Sequence, residues 1–185
     1  MAKRRGPVRC ELVENRVMVW NSDDARLVFA MGYYGKPVGM PKPRIDEIDV
    51  PLVLDLIEGL YLLEEGAVTI TRSRRRITVQ QMMDMCRDEY HGFDKKYVVY
   101  RRFRDLGYVV SSGIKYGCDF AVYERGPGID HAPYMVHVYA KSDAITSTGI
   151  VLAGRLASAV RKQFILAIPG RGRNVDFVAL DWWKA

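Results

Sequence analysis

Alternating apolar and polar residues dominate the beginning of the chain. Two alternating segments, residues 9–13 and 16–20, are separated by Glu14 and Asn15, which predicts a β-hairpin. Residues 34–44 contain two glycines and three prolines, which predicts an exposed loop without regular structure. The first third of the chain is therefore expected to consist of short strands joined by turns.

Helical spacing replaces this alternation in the next segment. Apolar residues recur every three or four positions over residues 51–65, which predicts an amphipathic helix that Gly66 stops. Residues 68–70 are predicted to form a strand. Thr78 can cap a second helix over residues 79–89.

A domain boundary is predicted near residues 90–92. Beyond it the predicted elements are a helix over 93–106, strands over 108–110, 115–123 and 134–139, a helix capped by Ser147 or Thr148 and running to about residue 163, and strands over 164–168 and 175–180. This order is typical of a central mixed sheet flanked by helices. The predicted fold class is α/β (α+β), with a small mixed domain over residues 1–90 and an α/β domain over residues 91–185.

The last predicted helix has two different faces. Leu152, Leu156, Ala159 and Val160 recur at helical spacing and are expected to face the core. Arg155, Ser158 and Lys162 form a polar stripe on another face. Taken alone, the two cations are better explained as surface residues that the helix dipole favours near a C-terminus.

Composition describes an ordinary globular chain with an excess of positive charge. The 185 residues are 49% hydrophobic and 27% charged, and no run approaches the ~20 apolar residues that span a bilayer. No apolar segment follows the basic start, so no secretory signal is expected. The net charge of +6 favours a polyanionic partner. The basic runs at residues 72–76 and 101–104 are equally consistent with solvated faces.

The three cysteines, Cys10, Cys86 and Cys118, are far apart and form no Cys-x-x-Cys pair. Neither a disulfide framework nor a zinc site is predicted. We expect three small buried side chains, a cytoplasmic protein, and neither a metal nor a cofactor.

Tyr123 and His131 flank a turn that contains Gly-Pro-Gly. Tyr123 ends an alternating run, and a second alternating run begins at Tyr134. Because the turn returns the chain, both residues are expected at the same end of a sheet. Taken alone, each residue is weak evidence for an active site, since a tyrosine is common in strands and a histidine commonly caps a strand end.

Three separated blocks carry a family resemblance. They are Gly117-Cys-Asp-Phe-Ala-Val-Tyr123, His131-Ala-Pro-Tyr-Met-Val-His-Val138 and Gly154-Arg-Leu-Ala-Ser-Ala-Val-Arg-Lys162. Together they resemble the catalytic core of the archaeal tRNA-splicing endonucleases, over most of residues 95–185. Gly35-Lys-Pro37 and residues 60–66 resemble the N-terminal domain of that family.

The resemblance implies a catalytic triad. It makes Tyr123 the general base, His131 the general acid and Lys162 the electrostatic stabiliser of an RNA cleavage that needs no metal. The products would be a 2′,3′-cyclic phosphate and a 5′-hydroxyl. Two proton-transfer groups suit this reaction, because one proton leaves the 2′-hydroxyl and another reaches the departing oxygen.

The resemblance also implies how the substrate is held. The family recognises a bulge–helix–bulge motif and grips a flipped base between two flat side chains, which here match Arg155 and a position near Trp182. Residues 40–49 resemble an insertion of crenarchaeal catalytic subunits that contacts RNA, with Lys42 and Arg44 as its cations. The alternatives are a packed C-terminal aromatic residue for Trp182 and a plain surface loop for residues 40–49.

The loop over residues 169–174 departs from homotetrameric relatives, which carry an acidic loop there that enters a basic pocket on another subunit. Here the loop is basic and cannot supply that charge. The resemblance therefore implies a heterotetramer of two catalytic and two structural chains, acting on precursor tRNA.

Two other classes are weighed against the metal-independent nuclease. A non-catalytic RNA-binding or structural subunit of the same splicing complex would have no need of Tyr123, His131 and Lys162. A metal-dependent nuclease would need a pair of carboxylates beside a lysine. Asp119 is a candidate carboxylate, but no Asp/Glu-x-Lys follows it.

Overall fold

The computed structural model describes residues 6–41, 43–129 and 131–180. Contacts between residues divide the chain into two compact units, residues 1–91 and 92–185. Each unit is built on a mixed β-sheet with helices, so the predicted α/β (α+β) fold class is confirmed. None of the helices in the described ranges has the length and apolar character needed to cross a bilayer.

In its described residues, the first unit holds a six-stranded sheet with the spatial order β3-β4-β2-β1-β5-β6. The strands are β1 (Val8–Val13), β2 (Arg16–Val19), β3 (Lys36–Pro37), β4 (Leu52–Leu54), β5 (Val68–Arg72) and β6 (Arg75–Arg76). β1 and β5 run parallel, and the other neighbours run antiparallel. The predicted hairpin at Glu14 and Asn15 is confirmed as the β1–β2 connection.

Helices α1 (Ser22–Ala30), α2 (Leu56–Glu64) and α3 (Val79–Glu89) belong to the first unit. α1 was not predicted from the sequence. The Asn21 side chain caps it by accepting a hydrogen bond from the Asp24 N–H at 3.0 Å, and Asp23 and Asp24 lie in its first turn. The predicted Thr78 cap of α3 is confirmed, since its hydroxyl accepts from the Gln81 N–H at 3.2 Å.

Two predictions for this unit were wrong at element boundaries. The helix predicted over residues 51–65 starts only at Leu56, because β4 precedes it and the Glu58 side chain accepts from the Asp55 N–H at 2.9 Å, which fixes the helix start. The loop predicted over residues 34–44 contains β3, a two-residue edge strand that pairs with β4.

In the second unit, the described residues form a five-stranded sheet with the order β11-β10-β9-β8-β7. The strands are β7 (Val109–Ser112), β8 (Phe120–Tyr123), β9 (Tyr134–Val138), β10 (Gln163–Pro169) and β11 (Val175–Leu180). β9 and β10 run parallel, whereas the other pairs are antiparallel. The strand predicted to begin at residue 115 begins at Phe120, because Ile114–Tyr116 form a 3-10 turn.

Helices α4 (Phe93–Asp105) and α5 (Ser147–Ala159) pack on opposite faces of this sheet. On one face Tyr100 of α4 lies 5.9 Å from Phe120, measured between ring centroids. On the other, Ala157 of α5 packs with Met135 and Phe164 in a buried cluster. The sheet is therefore the middle of three layers, with α4 and α5 as the outer two.

The basic run at residues 101–104 lies on α4 and is not a uniformly solvated face. Arg104 is buried, and its guanidinium donates to the Tyr100 hydroxyl at 3.1 Å and to the Val110 carbonyl at 3.2 Å. The Nε of Arg101 lies 3.9 Å from the Asp105 carboxylate. Within this run, Arg104 stabilises the contact between α4 and β7.

The prediction of three small buried cysteines is confirmed. Cys10, Cys86 and Cys118 are all buried and form no disulfide. Burial raises the pKa of Cys10 and Cys86 to about 12 and the pKa of Cys118 to about 11. These thiols are packing residues and poor nucleophiles.

Candidate active site

Three neighbouring strands of the second unit end or begin at the same end of its sheet, which we call the sheet edge. β8 ends at this edge, while β9 and β10 begin there. Tyr134 pairs with Val122 on one side and with Gln163 on the other. One step further along, the same register aligns Tyr123 and Lys162 on either side of the residues that precede β9.

Tyr123 and Lys162 also belong to one face of the sheet. Side chains alternate along a strand, so Tyr123 shares a face with Ala121, which pairs with Met135 beneath α5. Lys162 precedes Phe164 by two residues, and Phe164 belongs to the same buried cluster. The two side chains therefore belong to the α5 side of this edge, and both are half-buried.

His131 lies in the segment that leads into β9. The predicted turn is present, with the Ile129 N–H bonded to the Gly126 carbonyl at 3.2 Å and Gly128 at a φ of +90°. The His131 side chain is exposed, whereas Ala132 beside it is buried. The buried neighbour fixes the backbone while the imidazole stays open to a ligand.

Two contacts hold the Lys162 ammonium close to this segment. Its Nζ donates to the carbonyl oxygen of Ala132, the residue that follows His131. The same atom lies 5.1 Å from the centroid of the Tyr116 ring, whose face attracts a cation. The ammonium is thereby anchored at the base of the segment that carries His131.

Lys162 does not lie on α5, so the predicted stripe shared with Arg155 was wrong. The helix ends three residues earlier, and Arg161 adopts a left-handed φ of +54°. The Lys162 N–H bonds to the Ala157 carbonyl at 2.8 Å and closes the turn into β10. This turn, and not a helical face, brings the lysine to the sheet edge.

The face of α5 that was predicted to be buried is exposed. Its exposed residues are Leu152, Leu156, Ala159 and Val160. Leu152 is 68% exposed, whereas Ala157 is 3% exposed and Gly154 is buried. Small residues let the helix approach the sheet closely, and this leaves the larger apolar side chains facing outwards.

The predicted RNA-binding residues are placed as follows. Arg155 is exposed on α5. Arg44 is also exposed and lies 3.5 Å from the Glu47 carboxylate, at the start of the 3-10 turn Ile45–Glu47. Exposed ion pairs of this kind are weak, so the guanidinium of Arg44 stays available. Trp182 and Lys42 lie outside the described residues.

Three residues around the site were not singled out from the sequence: Tyr116, Glu124 and Tyr134. The Tyr134 hydroxyl donates to the Glu124 carboxylate at 2.9 Å, and this hydrogen bond raises the pKa of the Tyr134 phenol. The sequence pattern indicated only a strand position for Tyr134, and Tyr116 lay in a segment that was predicted to be a strand. No sequence signal joined them to the site, since both contacts are long-range or cross a turn.

Asp119, the carboxylate considered for a metal-dependent nuclease, is bound within the fold. It lies 2.9 Å from the Lys96 ammonium and accepts from the Val138 N–H at 2.8 Å. His137 lies 3.7 Å away, and burial lowers its pKa although Asp119 opposes the shift. Within the described ranges, no group of three or more His, Cys, Asp or Glu residues could hold a metal ion.

Family models match both units of the chain. Residues 8–83 match the model described as tRNA intron endonuclease, N-terminal domain, and residues 93–177 match the tRNA intron endonuclease, catalytic C-terminal domain. The sheet edge with Tyr123, His131 and Lys162 lies inside the second match. The class of protein is therefore an endonuclease, and this edge belongs to its catalytic domain.

Curated relatives match over nearly the whole chain. The tRNA-splicing endonuclease of Hyperthermus butylicus is 46% identical over 179 residues, 96% of this chain and 99% of the relative. That of Sulfurisphaera tokodaii is 41% identical, covering 94% and 98%, and that of Pyrobaculum arsenaticum is 43% identical, covering 82% and 85%. The chain belongs to the tRNA intron endonuclease family, and the resemblance found in its sequence is confirmed.

Proposed function

We propose that this chain is a catalytic subunit that excises introns from precursor tRNA by metal-independent cleavage at bulge–helix–bulge motifs. The observation that carries the proposal is the anchoring of the Lys162 ammonium on the Ala132 carbonyl, beside His131 and at the edge where Tyr123 ends β8. The names of the relatives support the substrate. The free, buried cysteines fit a reducing cytoplasm, where we place the protein.

In the proposed reaction Tyr123 acts as the phenolate, the form that a nearby cation such as the Lys162 ammonium favours. The 2′-hydroxyl of the RNA attacks the adjacent phosphorus, and the phenolate oxygen of Tyr123 accepts its proton. As the new 2′-oxygen–phosphorus bond forms, the bond to the 5′ oxygen breaks, and His131 donates a proton to that oxygen. Lys162 stabilises the extra negative charge on the pentavalent phosphorus. The products are a 2′,3′-cyclic phosphate and a 5′-hydroxyl.

The second candidate is a non-catalytic RNA-binding or structural subunit of the same complex. Such a subunit needs no general acid, base or ammonium at a shared edge. The anchored Lys162 beside an exposed His131 favours the catalytic subunit.

The loop between β10 and β11 supports a heteromeric assembly. It is a tight turn in which the Gly170 N–H bonds to the Asn174 carbonyl at 2.8 Å, and Arg171 and Arg173 are exposed in it. A loop with two exposed cations cannot fill a basic pocket. The exposed apolar face of α5 and the edge strand β11 are surfaces that a partner chain would cover. We propose a heterotetramer of two catalytic and two structural chains, the latter carrying the acidic loop.

Mixing with a structural subunit tests both the assembly and the chemistry. In excess chelator, a bulge–helix–bulge RNA will be cleaved by the mixture, with 2′,3′-cyclic phosphate and 5′-hydroxyl ends, and not by this chain alone. A partner whose loop carboxylates are changed to amides is the control and will give no cleavage. Full activity of the isolated chain contradicts the assembly, and loss of activity in chelator contradicts the chemistry.

Arg155 and Trp182 are proposed to grip a flipped bulge base. Stacking of a base on a flat side chain contributes about 1–3 kcal/mol, so Arg155→Ala or Trp182→Ala will weaken binding of the bulged RNA by about 5- to 150-fold. Arg102→Ala removes an exposed arginine of α4 in the same unit and is the matched control. If Arg155→Ala and Arg102→Ala weaken binding equally, Arg155 contributes only its positive charge and does not stack on the base.

The loop over residues 40–49 is proposed to contact RNA through Lys42 and Arg44. It is tied to α1, because the Arg26 guanidinium donates to the Ile48 carbonyl at 2.7 Å. Replacing the loop with a short turn is expected to narrow the range of bulges cut and to leave the standard motif cleaved. If the variant with the short turn cuts the same range of bulges as the wild type, residues 40–49 form a plain surface loop.

A further inference from the structure

The β5–β6 hairpin carries a dense cluster of positive charge. Arg72, Arg74, Arg75 and Arg76 are all exposed, within five consecutive residues. No Asp or Glu lies between Ala67 and Met83 in the sequence. β6 is also the last strand at one side of its sheet as the described residues form it, so among them no strand pairs with the outer side of the hairpin.

Within the described residues, the side chains of these four arginines are not engaged in ion pairs. In the part of the chain that the structure describes, none of the four guanidinium groups forms an ion pair with a carboxylate. The basic run on α4 differs, since Arg104 is buried and hydrogen-bonded within the fold. Of the two basic runs, only the hairpin presents its charge outwards as a group.

The hairpin is also not arranged for its own stability. Arg72 pairs directly with Arg75 across the strands, and like charges in that position repel. Ser73 and Arg74 have φ values of +49° and +65°, a turn geometry in which Asn-Gly is preferred. A hairpin with opposite charges across its strands and an Asn-Gly turn would be more stable. The arginines are therefore better explained by binding to a ligand.

We propose that this hairpin, the arginine hairpin, is a second RNA contact that binds backbone phosphates of the substrate. The planar guanidinium matches the geometry of a phosphate, and a polyanion would relieve the repulsion between Arg72 and Arg75. The proposal uses the RNA substrate of the proposed function but none of its catalytic residues. Phosphate contacts carry no sequence information, so the hairpin contributes affinity and not the choice of cleavage site.

Salt dependence of RNA binding by the full chain tests the proposal. The triple variant Arg72→Gln/Arg74→Gln/Arg75→Gln is compared with Lys36→Gln/Arg87→Gln/Arg102→Gln, which removes three exposed charges elsewhere. Each phosphate contact contributes about 0.7–0.9 to the slope of log K against log salt concentration. We expect the hairpin variant to lower the slope by about 2 and the affinity at low salt by about 10- to 100-fold, with cleavage at saturating RNA unchanged.

Arg74→Gly separates binding from folding. Glycine suits the left-handed turn, so this variant is expected to raise Tm while it lowers the salt slope by about 1. If both hairpin variants have the same salt slope as the wild type, the proposal is overturned. The arginines would then serve only as charges that keep an edge strand from pairing with another chain. If the hairpin variants lower the salt slope but His131→Ala cleaves normally, the hairpin binds RNA as proposed and the proposed cleavage chemistry is wrong.

Discussion

Replacing His131 with alanine will lower the single-turnover cleavage rate of a bulge–helix–bulge RNA by about 100- to 10,000-fold, the range that general acid–base catalysis contributes. The loss is expected because the departing 5′ oxygen then has no proton donor at the sheet edge. RNA affinity is expected to change little, since the imidazole is exposed and its removal leaves the buried core unchanged. Gel-shift binding and single-turnover kinetics on the same preparation measure the two effects separately.

His91 supplies the matched control for this variant. It is also exposed, and it is the last residue of the first unit, away from the β8–β9–β10 edge in sequence. His91→Ala is expected to cleave at the wild-type rate. A His131→Ala enzyme that cleaves at a rate close to wild type would remove His131 from the mechanism.

Lys162→Ala is expected to lose about 100- to 1,000-fold in cleavage rate, the effect of removing one group that stabilises charge in a transition state. The structure shows which groups hold the ammonium. Its ammonium is held between the Ala132 carbonyl and the Tyr116 ring, at the base of the segment that carries His131. The loss should appear in the rate at saturating RNA and not in the RNA affinity.

Tyr116 gives this prediction a second test. Tyr116→Phe keeps the aromatic face and is expected to cleave normally, whereas Tyr116→Leu removes the cation–π contact and should lower the rate at saturating RNA. Lys141→Ala removes an exposed ammonium elsewhere in the same unit and is the control. If Lys162→Ala loses affinity but keeps its rate, Lys162 binds ground-state RNA and does not stabilise the transition state.

Elements with strong local signals could be predicted from the sequence. The strand that begins at Tyr134 follows from the alternating run that starts there, and α3 follows from the Thr78 cap. Placing Tyr123 and His131 at one sheet edge needed only a tight turn between two alternating runs. These predictions succeeded because turns and periodic patterns depend on residues that are close together in the sequence.

The parts that could not be predicted depend on contacts between distant residues. Lys162 was placed on a helical stripe, because nothing in the sequence marks Arg161 as the left-handed residue that ends α5. The buried face of α5 was misassigned for a related reason. Periodicity shows where apolar residues recur, but close packing against the sheet selected Gly154 and Ala157 over Leu152.

A single 2′-deoxy substitution at the nucleotide that precedes the cleaved phosphate tests the central claim most directly. The claim is that Tyr123, His131 and Lys162 promote attack by the 2′-hydroxyl of the RNA itself. The substituted RNA should bind like the unmodified RNA and remain uncleaved at that site, while the second site of the same molecule is cut normally. Cleavage at the substituted site would show that water or another nucleophile attacks the phosphorus, and would contradict the proposed mechanism.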